Sequence, residues 1–108
     1  MEEHRVTLRD GTQAILYRSV SGSWACPVCG SVELPQQPYY SDGSASFDMC
    51  SCGFEFGYDD DPGASSEADP SVTANWSKWR SRLMRKLKDH PGALAQVVER
   101  LRAIGVAA

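Results

Sequence analysis

The sequence of 108 residues lacks the features that identify membrane, secreted and most catalytic proteins. No apolar run approaches the roughly 18 residues that a membrane-spanning helix needs. The charged N-terminal residues, Met1 to Arg5, do not include the apolar stretch of a signal peptide. Two histidines are present and no serine or cysteine lies in a recognisable nucleophile motif, so acid–base and nucleophilic catalysis have little support. The sequence therefore predicts a cytoplasmic protein with no membrane contact and no enzymatic activity.

Basic side chains are scarce in the first 75 residues of the chain. Residues 1–75 contain 3 Lys or Arg against 12 Asp or Glu, a net charge of −9. Residues 76–108 contain 8 basic and 2 acidic side chains, a net charge of +6. An acidic front with a basic tail argues against simple coating of nucleic acid. The distribution favours a basic protein partner, or packing of one part of the chain on the other.

Four cysteines form two close pairs. Two residues separate Cys26 from Cys29, one separates Cys50 from Cys52, and twenty lie between the pairs. In the cytosol, paired cysteines bind metal or do redox chemistry more often than they form structural disulfides. Four thiolates at this spacing suit a tetrahedral zinc ion and leave no open position for substrate. The sequence predicts a structural Zn²⁺ bound by all four cysteines, although iron accepts the same four sulfurs.

The shorter cysteine pair leaves a redox hypothesis open. One residue between Cys50 and Cys52 gives a tighter bite than two. Redox-regulated chaperones use one C-x-C pair and one C-x-x-C pair to bind a zinc ion that oxidants eject. This chain has the same two spacings in the reverse order. A redox-sensing zinc protein is therefore an alternative, and it requires solvent-accessible thiolates of low pKa.

Residue patterns before the cysteines predict a β-hairpin. Apolar and polar residues alternate over 5–9, Asp10-Gly11 is a favoured two-residue turn, and the chain returns over 12–18. In the simplest register, Ile15 lies opposite Val6.

Short alternating segments around the cysteines predict further strands. They occur at 32–34, 45–49 and 54–58, so that strand, cysteine pair and strand follow one another twice. A zinc ribbon has this order of strands and cysteine pairs. Residues 59–70 are acidic and rich in Ala, Ser, Pro and Gly, which indicates an exposed connection with a solvated acidic turn.

Two helices are predicted after this connection. Ser71 or Thr73 can cap the first, which should end near Lys88. Its predicted apolar face contains Trp76, Trp79, Leu83 and Leu87. Its predicted basic face contains Lys78, Arg82, Arg85 and Lys86. The second helix should start at Pro91 and end at Gly105.

The predicted fold is a small α+β zinc ribbon with an N-terminal β-hairpin and two C-terminal helices. Its predicted segments are the hairpin at 1–19, the zinc-ribbon core at 20–60, an acidic linker at 61–70 and a two-helix segment at 71–108.

Motifs around both cysteine pairs suggest a family. They are Cys26-Pro27-Val28-Cys29-Gly30, Gly43-Ser44, Ser46-Phe47-Asp48-Met49-Cys50, Cys52-Gly53-Phe54-Glu55-Phe56-Gly57-Tyr58-Asp59-Asp60 and Trp76-Ser77-Lys78-Trp79-Arg80. Over about residues 24–85 the chain resembles a bacterial cysteine-rich family named for its CPCC motif, with a second pair one residue shorter than the usual C-x-x-C. The resemblance implies a small zinc ribbon with the four cysteines as ligands. Similarity to small proteins found beside bacterial toxins implies an immunity function.

The predicted function is therefore that of a non-enzymatic zinc ribbon whose acidic and aromatic surface binds a protein partner. The predicted contact residues are Tyr39, Tyr40, Asp59, Asp60 and Asp61. In its sharpest form, this is an immunity protein that neutralises a basic toxin domain, where long-range attraction raises the association rate. The alternative partner is a nucleic acid bound by the basic helix at 76–88.

Overall fold

The computed structural model describes residues 1–63 and 68–106, in which a four-stranded antiparallel sheet precedes two helices. The strands, in their order across the sheet, are β1 (Glu2–Thr7), β2 (Gln13–Arg18), β3 (Trp24–Ala25) and β4 (Val32–Leu34). The helices are α1 (Val72–Lys86) and α2 (Pro91–Ala103). Together with a cluster of the four cysteines, these elements confirm the predicted α+β class.

The hairpin of β1 and β2 forms as predicted, but its register was wrong by one residue. Val6 pairs with Ala14 rather than with Ile15. The side-chain period of a strand is two, so this shift turns Ile15 outward, where it is 37% exposed, and places Leu16 in the core.

The loop between β1 and β2 explains the shifted register. The amide N–H of Leu8 donates to the carbonyl of Thr12 at 2.8 Å, and that of Gly11 donates to the carbonyl of Leu8 at 2.9 Å. The connection is therefore longer than the predicted two-residue turn, and loop length sets hairpin register. The carboxylate of Asp10 accepts from the amide of Val72 at 2.9 Å, so the loop also holds the start of α1.

The predicted strands at 45–49 and 54–58 do not form. An isolated bridge between Met49 and Glu55 takes their place. The backbone of Phe47 has φ of 60°, in the left-handed region, and a continuous extended strand cannot pass through that conformation.

Helix α1 packs its predicted apolar face on the sheet and the cysteine loops. Trp76 is buried in the main core, and Trp79 and Leu83 pack against it. The Ser71 hydroxyl accepts from the amide of Ala74 at 3.1 Å, which confirms one of the two predicted caps. The helix ends at Lys86, two residues before the predicted end.

Helix α2 packs on the other side of β3. Val97, Leu101 and Ile104 form a second core cluster with Ala25. Pro91 starts the helix as predicted, and Gly105 follows its end with φ of +77°. Both helices therefore pack on the ribbon, a point that the sequence left open.

The predicted segment boundaries stay a prediction, but the sheet extends across the first one, between residues 19 and 20. Arg18 of β2 pairs with Trp24 of β3, so the hairpin and the ribbon share one sheet. Of the predicted linker, residues 64–67 lie outside the described residues. No helix in the described part of the chain is long and apolar enough to cross a membrane.

Candidate metal centre

The four predicted ligands lie together despite the twenty residues between the two pairs. Their Sγ atoms all lie within 4.8 Å of one another, and those of Cys29 and Cys50 are 3.5 Å apart. A tetrahedral zinc ion with Zn–S bonds of about 2.3 Å places its sulfurs about 3.8 Å apart. Cys26, Cys29 and Cys50 are buried, Cys52 is partly buried, and all four are free of disulfide bonds. The residues present therefore fit one tetrahedral metal ion.

The first cysteine loop, residues 26–31, is closed by backbone hydrogen bonds. The amide of Cys26 donates to the carbonyl of Ser31 at 2.8 Å, and the amide of Gly30 donates to the carbonyl of Cys26 at 2.7 Å. Gly30 has φ of +78°, which a residue without a side chain adopts at no steric cost. The turn aims the amide of Ser31 at the Cys29 sulfur, 3.5 Å away.

The second cysteine loop, residues 50–54, repeats this plan with one residue fewer. The amide of Cys50 donates to the carbonyl of Phe54 at 2.9 Å, and the amide of Gly53 donates to the carbonyl of Cys50 at 2.9 Å. Gly53 has φ of +92° and takes the role of the glycine in the first loop. The loop itself thus accommodates the shorter spacing, and the Cys52 sulfur still lies within the cluster.

Contacts among the sulfurs control their protonation. Hydrogen bonds with the other three thiols, followed by burial, raise the pKa of Cys26. Hydrogen bonding to Cys26 is the largest cause that lowers the pKa values of Cys29, Cys50 and Cys52. Metal binding to thiols displaces protons, so a lowered pKa at three of the four thiols favours the binding of a divalent cation.

Glu33 on β4 braces the second cysteine loop. Its Oε1 accepts from the amide of Ser51 at 3.0 Å, from the Ser51 hydroxyl and, while that thiol keeps its proton, from the Cys50 sulfur at 3.2 Å. The hydrogen bond from the Ser51 hydroxyl is the largest cause that lowers the pKa of Glu33. Sequence reasoning missed this residue, because nothing in a pattern connects side chains 18 positions apart.

Arg80 on α1 contacts the first cysteine loop. Its Nε donates to the carbonyl of Pro27 at 2.6 Å. Burial lowers the pKa of Arg80, and attraction to Cys26 acts in the opposite direction. Sequence reasoning missed this role too. The only available signal was that Arg80 falls outside the predicted basic face of the helix.

Two of the five predicted contact residues are buried, which corrects the prediction for them. Tyr39 is 2% exposed and Asp60 is fully buried. The Asp60 carboxylate accepts from the amide of Gly57 at 2.7 Å, from Nε1 of Trp76 at 2.7 Å and from the Tyr39 hydroxyl. Burial raises the pKa values of both Asp60 and Tyr39. The acidic turn is therefore not simply solvated, because three donors hold its middle carboxylate beneath α1.

The other three predicted contact residues lie nearer the surface. Tyr40 and Asp61 are exposed, and Asp59 is partly buried. One carboxylate oxygen of Asp59 accepts from the amide of Glu55 at 2.8 Å. Their role as contacts stays a prediction.

The predicted basic face of α1 is unevenly exposed. Arg85 and Lys86 are exposed, whereas Lys78 and Arg82 are partly buried. The guanidinium carbon of Arg82 lies 5.6 Å from the centre of the Trp79 ring, within range of a cation–π contact. Part of this face is therefore engaged with the protein's own helix.

Comparison with known proteins assigns this chain to no family. No family model, no curated protein and no solved structure matches the chain. The resemblance to the CPCC family consequently rests on the sequence motifs alone.

Proposed function

We propose that the protein is a non-enzymatic zinc ribbon in which Cys26, Cys29, Cys50 and Cys52 bind one structural Zn²⁺. The observation that carries the proposal is the approach of four sulfurs to within 4.8 Å from two loops of the same hydrogen-bonding plan. Four thiolates saturate a tetrahedral ion, so the centre holds a scaffold together and offers no site for substrate. Membership of the CPCC family is part of this proposal, and the motifs around the cysteines support it.

Metal analysis of the purified protein tests the structural metal. We expect one zinc per chain in the wild type and loss of stoichiometric metal in Cys26→Ser and Cys50→Ser, since ligand loss and unfolding are coupled in such sites. Ser31→Ala is the matched control, because Ser31 contacts the sulfur through its backbone amide. The same analysis separates zinc from iron. Metal-free protein with four titratable thiols would contradict the proposal.

We further propose that this scaffold binds a basic protein, in its sharpest form a bacterial toxin that the protein neutralises. The supporting observation is that no Lys or Arg occurs from residue 19 to residue 77, while Tyr40 and Asp61 are exposed in that stretch. A gene for a secreted basic toxin beside this one, with growth restored on co-expression of the two, is the expected result. Growth inhibition that co-expression leaves unchanged would speak against immunity.

Nucleic-acid binding is the second candidate, and the exposure of Arg85 and Lys86 on α1 favours it. Its test is a gel-retardation assay at two salt concentrations, because phosphate contacts weaken steeply with salt. Arg85→Ala with Lys86→Ala should remove the shift if this candidate is right. Absence of binding at low salt eliminates it.

Redox sensing is the third candidate, favoured by the 3.5 Å separation of the Cys29 and Cys50 sulfurs and the partial exposure of Cys52. Two thiolates would give two electrons to hydrogen peroxide, which takes up two protons and leaves as two waters while one S–S bond forms. Reversible zinc release by stoichiometric peroxide is the expected result. Thiols that stay inert to mild oxidant rule it out.

A further inference from the structure

Three large apolar side chains are exposed beside the second cysteine loop. Phe47 is 58% exposed, Met49 is 63% exposed and Tyr58 is 61% exposed. We call these three residues the apolar patch. Single exposed apolar residues are ordinary, but a group of them close together indicates an interaction site.

Backbone contacts bring the three residues of the patch near one another. Met49 bridges to Glu55, and the amide of Phe56 donates to the carbonyl of Asp48 at 3.1 Å. Phe56 is fully buried and Met49 is 63% exposed, so these two side chains point to opposite sides of the bridge. The Phe47 ring lies against Gly57, the residue directly before Tyr58.

The exposed ring of Phe47 is held at a cost in backbone conformation. Its φ of 60° is rare for a bulky residue, and such conformations concentrate at functional positions. Gly57 makes room for the ring, because a Cβ there would lie 2.7 Å from Cε1 of Phe47. Gly57 also lies against the core residue Ala45, whose Cβ would be 2.6 Å from such an added Cβ, whereas the Phe47 side chain stays 58% exposed.

Carboxylates lie next to two residues of the patch, and Arg9 lines a cavity together with Gly57. Glu55 bridges to Met49, Asp59 follows Tyr58, and the chain has no Lys or Arg from residue 19 to residue 77. Among the described residues, neither Glu55 nor Asp59 forms an ion pair. Four thiolates with one divalent cation would add a net charge of −2 nearby. We leave Asp61 out, because it lines a cavity together with Arg9.

We propose that the apolar patch, with the carboxylates of Glu55 and Asp59, is the docking surface for a protein segment in which Lys or Arg flanks an exposed apolar side chain. The inference rests on the proposed function, because the metal fixes the loop that carries the patch. A nucleic acid is disfavoured, since its phosphates would meet these carboxylates. A second copy of the chain is disfavoured too, because a two-fold axis would bring the same carboxylates together.

Selection from a random peptide library displayed on phage tests the proposal with the zinc-loaded full chain as target. We expect enrichment of peptides in which Lys or Arg flanks a large apolar residue. The dissociation constant of an enriched peptide should rise about tenfold or more in Phe47→Asn, as loss of an interface anchor does. Asn accepts the left-handed backbone, so the zinc content and the melting temperature should not fall. Val20→Ser is the matched control, because Val20 is fully exposed in the loop between β2 and β3.

Each other outcome overturns the proposal. These outcomes are no enriched peptide, enrichment of acidic peptides, equal binding by the variant, or a dimer in sedimentation that the variant abolishes. If Phe47→Asn failed to fold, Met49→Ser with Tyr58→Ser would give the same test without changing that backbone. Zinc analysis of the target separates the two ideas: a target without zinc fails the proposed function, whereas a zinc-loaded target without such peptides fails only this inference.

Discussion

Tyr39 and Tyr40 are neighbours in the sequence, but their side chains lie in opposite environments. Tyr39 is buried and hydrogen-bonds to Asp60, whereas the exposed hydroxyl of Tyr40 bonds to Gln36. The hydroxyl of Tyr39 is one of three donors that satisfy the buried carboxylate of Asp60. Because no cation pairs with that carboxylate among the described residues, its burial depends on these donors.

Replacing each tyrosine by phenylalanine separates the two environments. We expect Tyr39→Phe to lower the free energy of unfolding by about 1.5–3 kcal/mol, because a hydrogen bond to a charged group is lost. Tyr40→Phe, the matched control, should stay within about 0.5 kcal/mol of the wild type. Chemical denaturation at fixed free zinc measures both values. Equal effects would contradict the network described for Asp60.

The penalty of Tyr39→Phe should depend on pH. Burial raises the pKa of Asp60 above its ordinary value of 3.8, while the Tyr39 hydroxyl acts to lower it. Because the pKa of Asp60 is raised in the folded state, its protonated carboxyl stabilises the fold below the unfolded-state pKa. This stabilisation is lost as pH rises through the folded-state pKa. Without the Tyr39 hydroxyl, this loss of stability with rising pH is larger. The decrease in unfolding free energy caused by Tyr39→Phe should therefore grow as pH rises above about 4.

Unfolding curves of wild type, Tyr39→Phe and Tyr40→Phe at several pH values, all with saturating zinc, check this dependence. The difference between wild type and Tyr40→Phe should not change with pH. A Tyr39→Phe penalty that shrinks as pH rises would mean that its hydroxyl favours the protonated carboxyl of Asp60.

Single residues differ in how far the sequence reveals them. The four cysteines could be predicted, because ligand chemistry and spacing are both local signals. Asp60 could not, since it sits in a run of three aspartates and only the fold decides which one turns inward. Glu33 and Arg80 could not either, because their partners are 18 and 53 positions away.

The first cysteine loop contacts α2 through its glycine, and the second loop does not contact a helix in this way. A Cβ on Gly30 would lie 2.7 Å from Cβ of Arg100 and 2.9 Å from the amide nitrogen of Leu101, so α2 packs directly on the first loop. A Cβ on Gly53 would meet no atom within 4 Å. Both glycines have positive φ, so they differ mainly in this contact with α2.

Alanine at these two glycines should measure the docking of α2. Gly53→Ala should cost about 1–2 kcal/mol of unfolding free energy, the price of a left-handed backbone for a residue with a side chain. Gly30→Ala should cost about 1–3 kcal/mol more, because the added methyl overpacks the contact with α2. Denaturation of both variants at fixed zinc tests the order. A larger effect at Gly53 would show that α2 does not rest on the first loop.

Helices could be predicted from the sequence better than strands. The 3.6-residue spacing of Trp76 and Trp79, the Ser71 cap and the Gly105 terminator are local signals, and the structure confirms them. Strand pairing depends on contacts between distant segments. The register of Ile15 therefore followed a loop length that the Asp-Gly pair did not reveal.

One core joins the sheet, the cysteine loops and α1. Its buried members include Leu16 of the hairpin, Phe54 after the second loop and Trp76 of α1, together with the cysteines. The Phe54 and Trp79 rings meet edge to face, with centroids 5.3 Å apart. The loops supply part of this core, so the metal that fixes them should stabilise the helices as well.

Removing the metal should therefore unfold the protein in one step. As a chelator takes up zinc, the helical circular-dichroism signal and the tryptophan fluorescence should change along the same curve, since Trp76 and Trp79 share a core with the loops. Restoring zinc under reducing conditions should restore both signals. A helical signal that persists after full zinc release would show that α1 and α2 are stable without the ribbon.

The two cysteine loops close with equivalent hydrogen bonds although one is a residue shorter. Gly53 faces open space, so the length difference does not propagate into the residues that follow. A glycine of positive φ and two closing amides therefore form the same bend around a spacing of one residue between thiols as around a spacing of two.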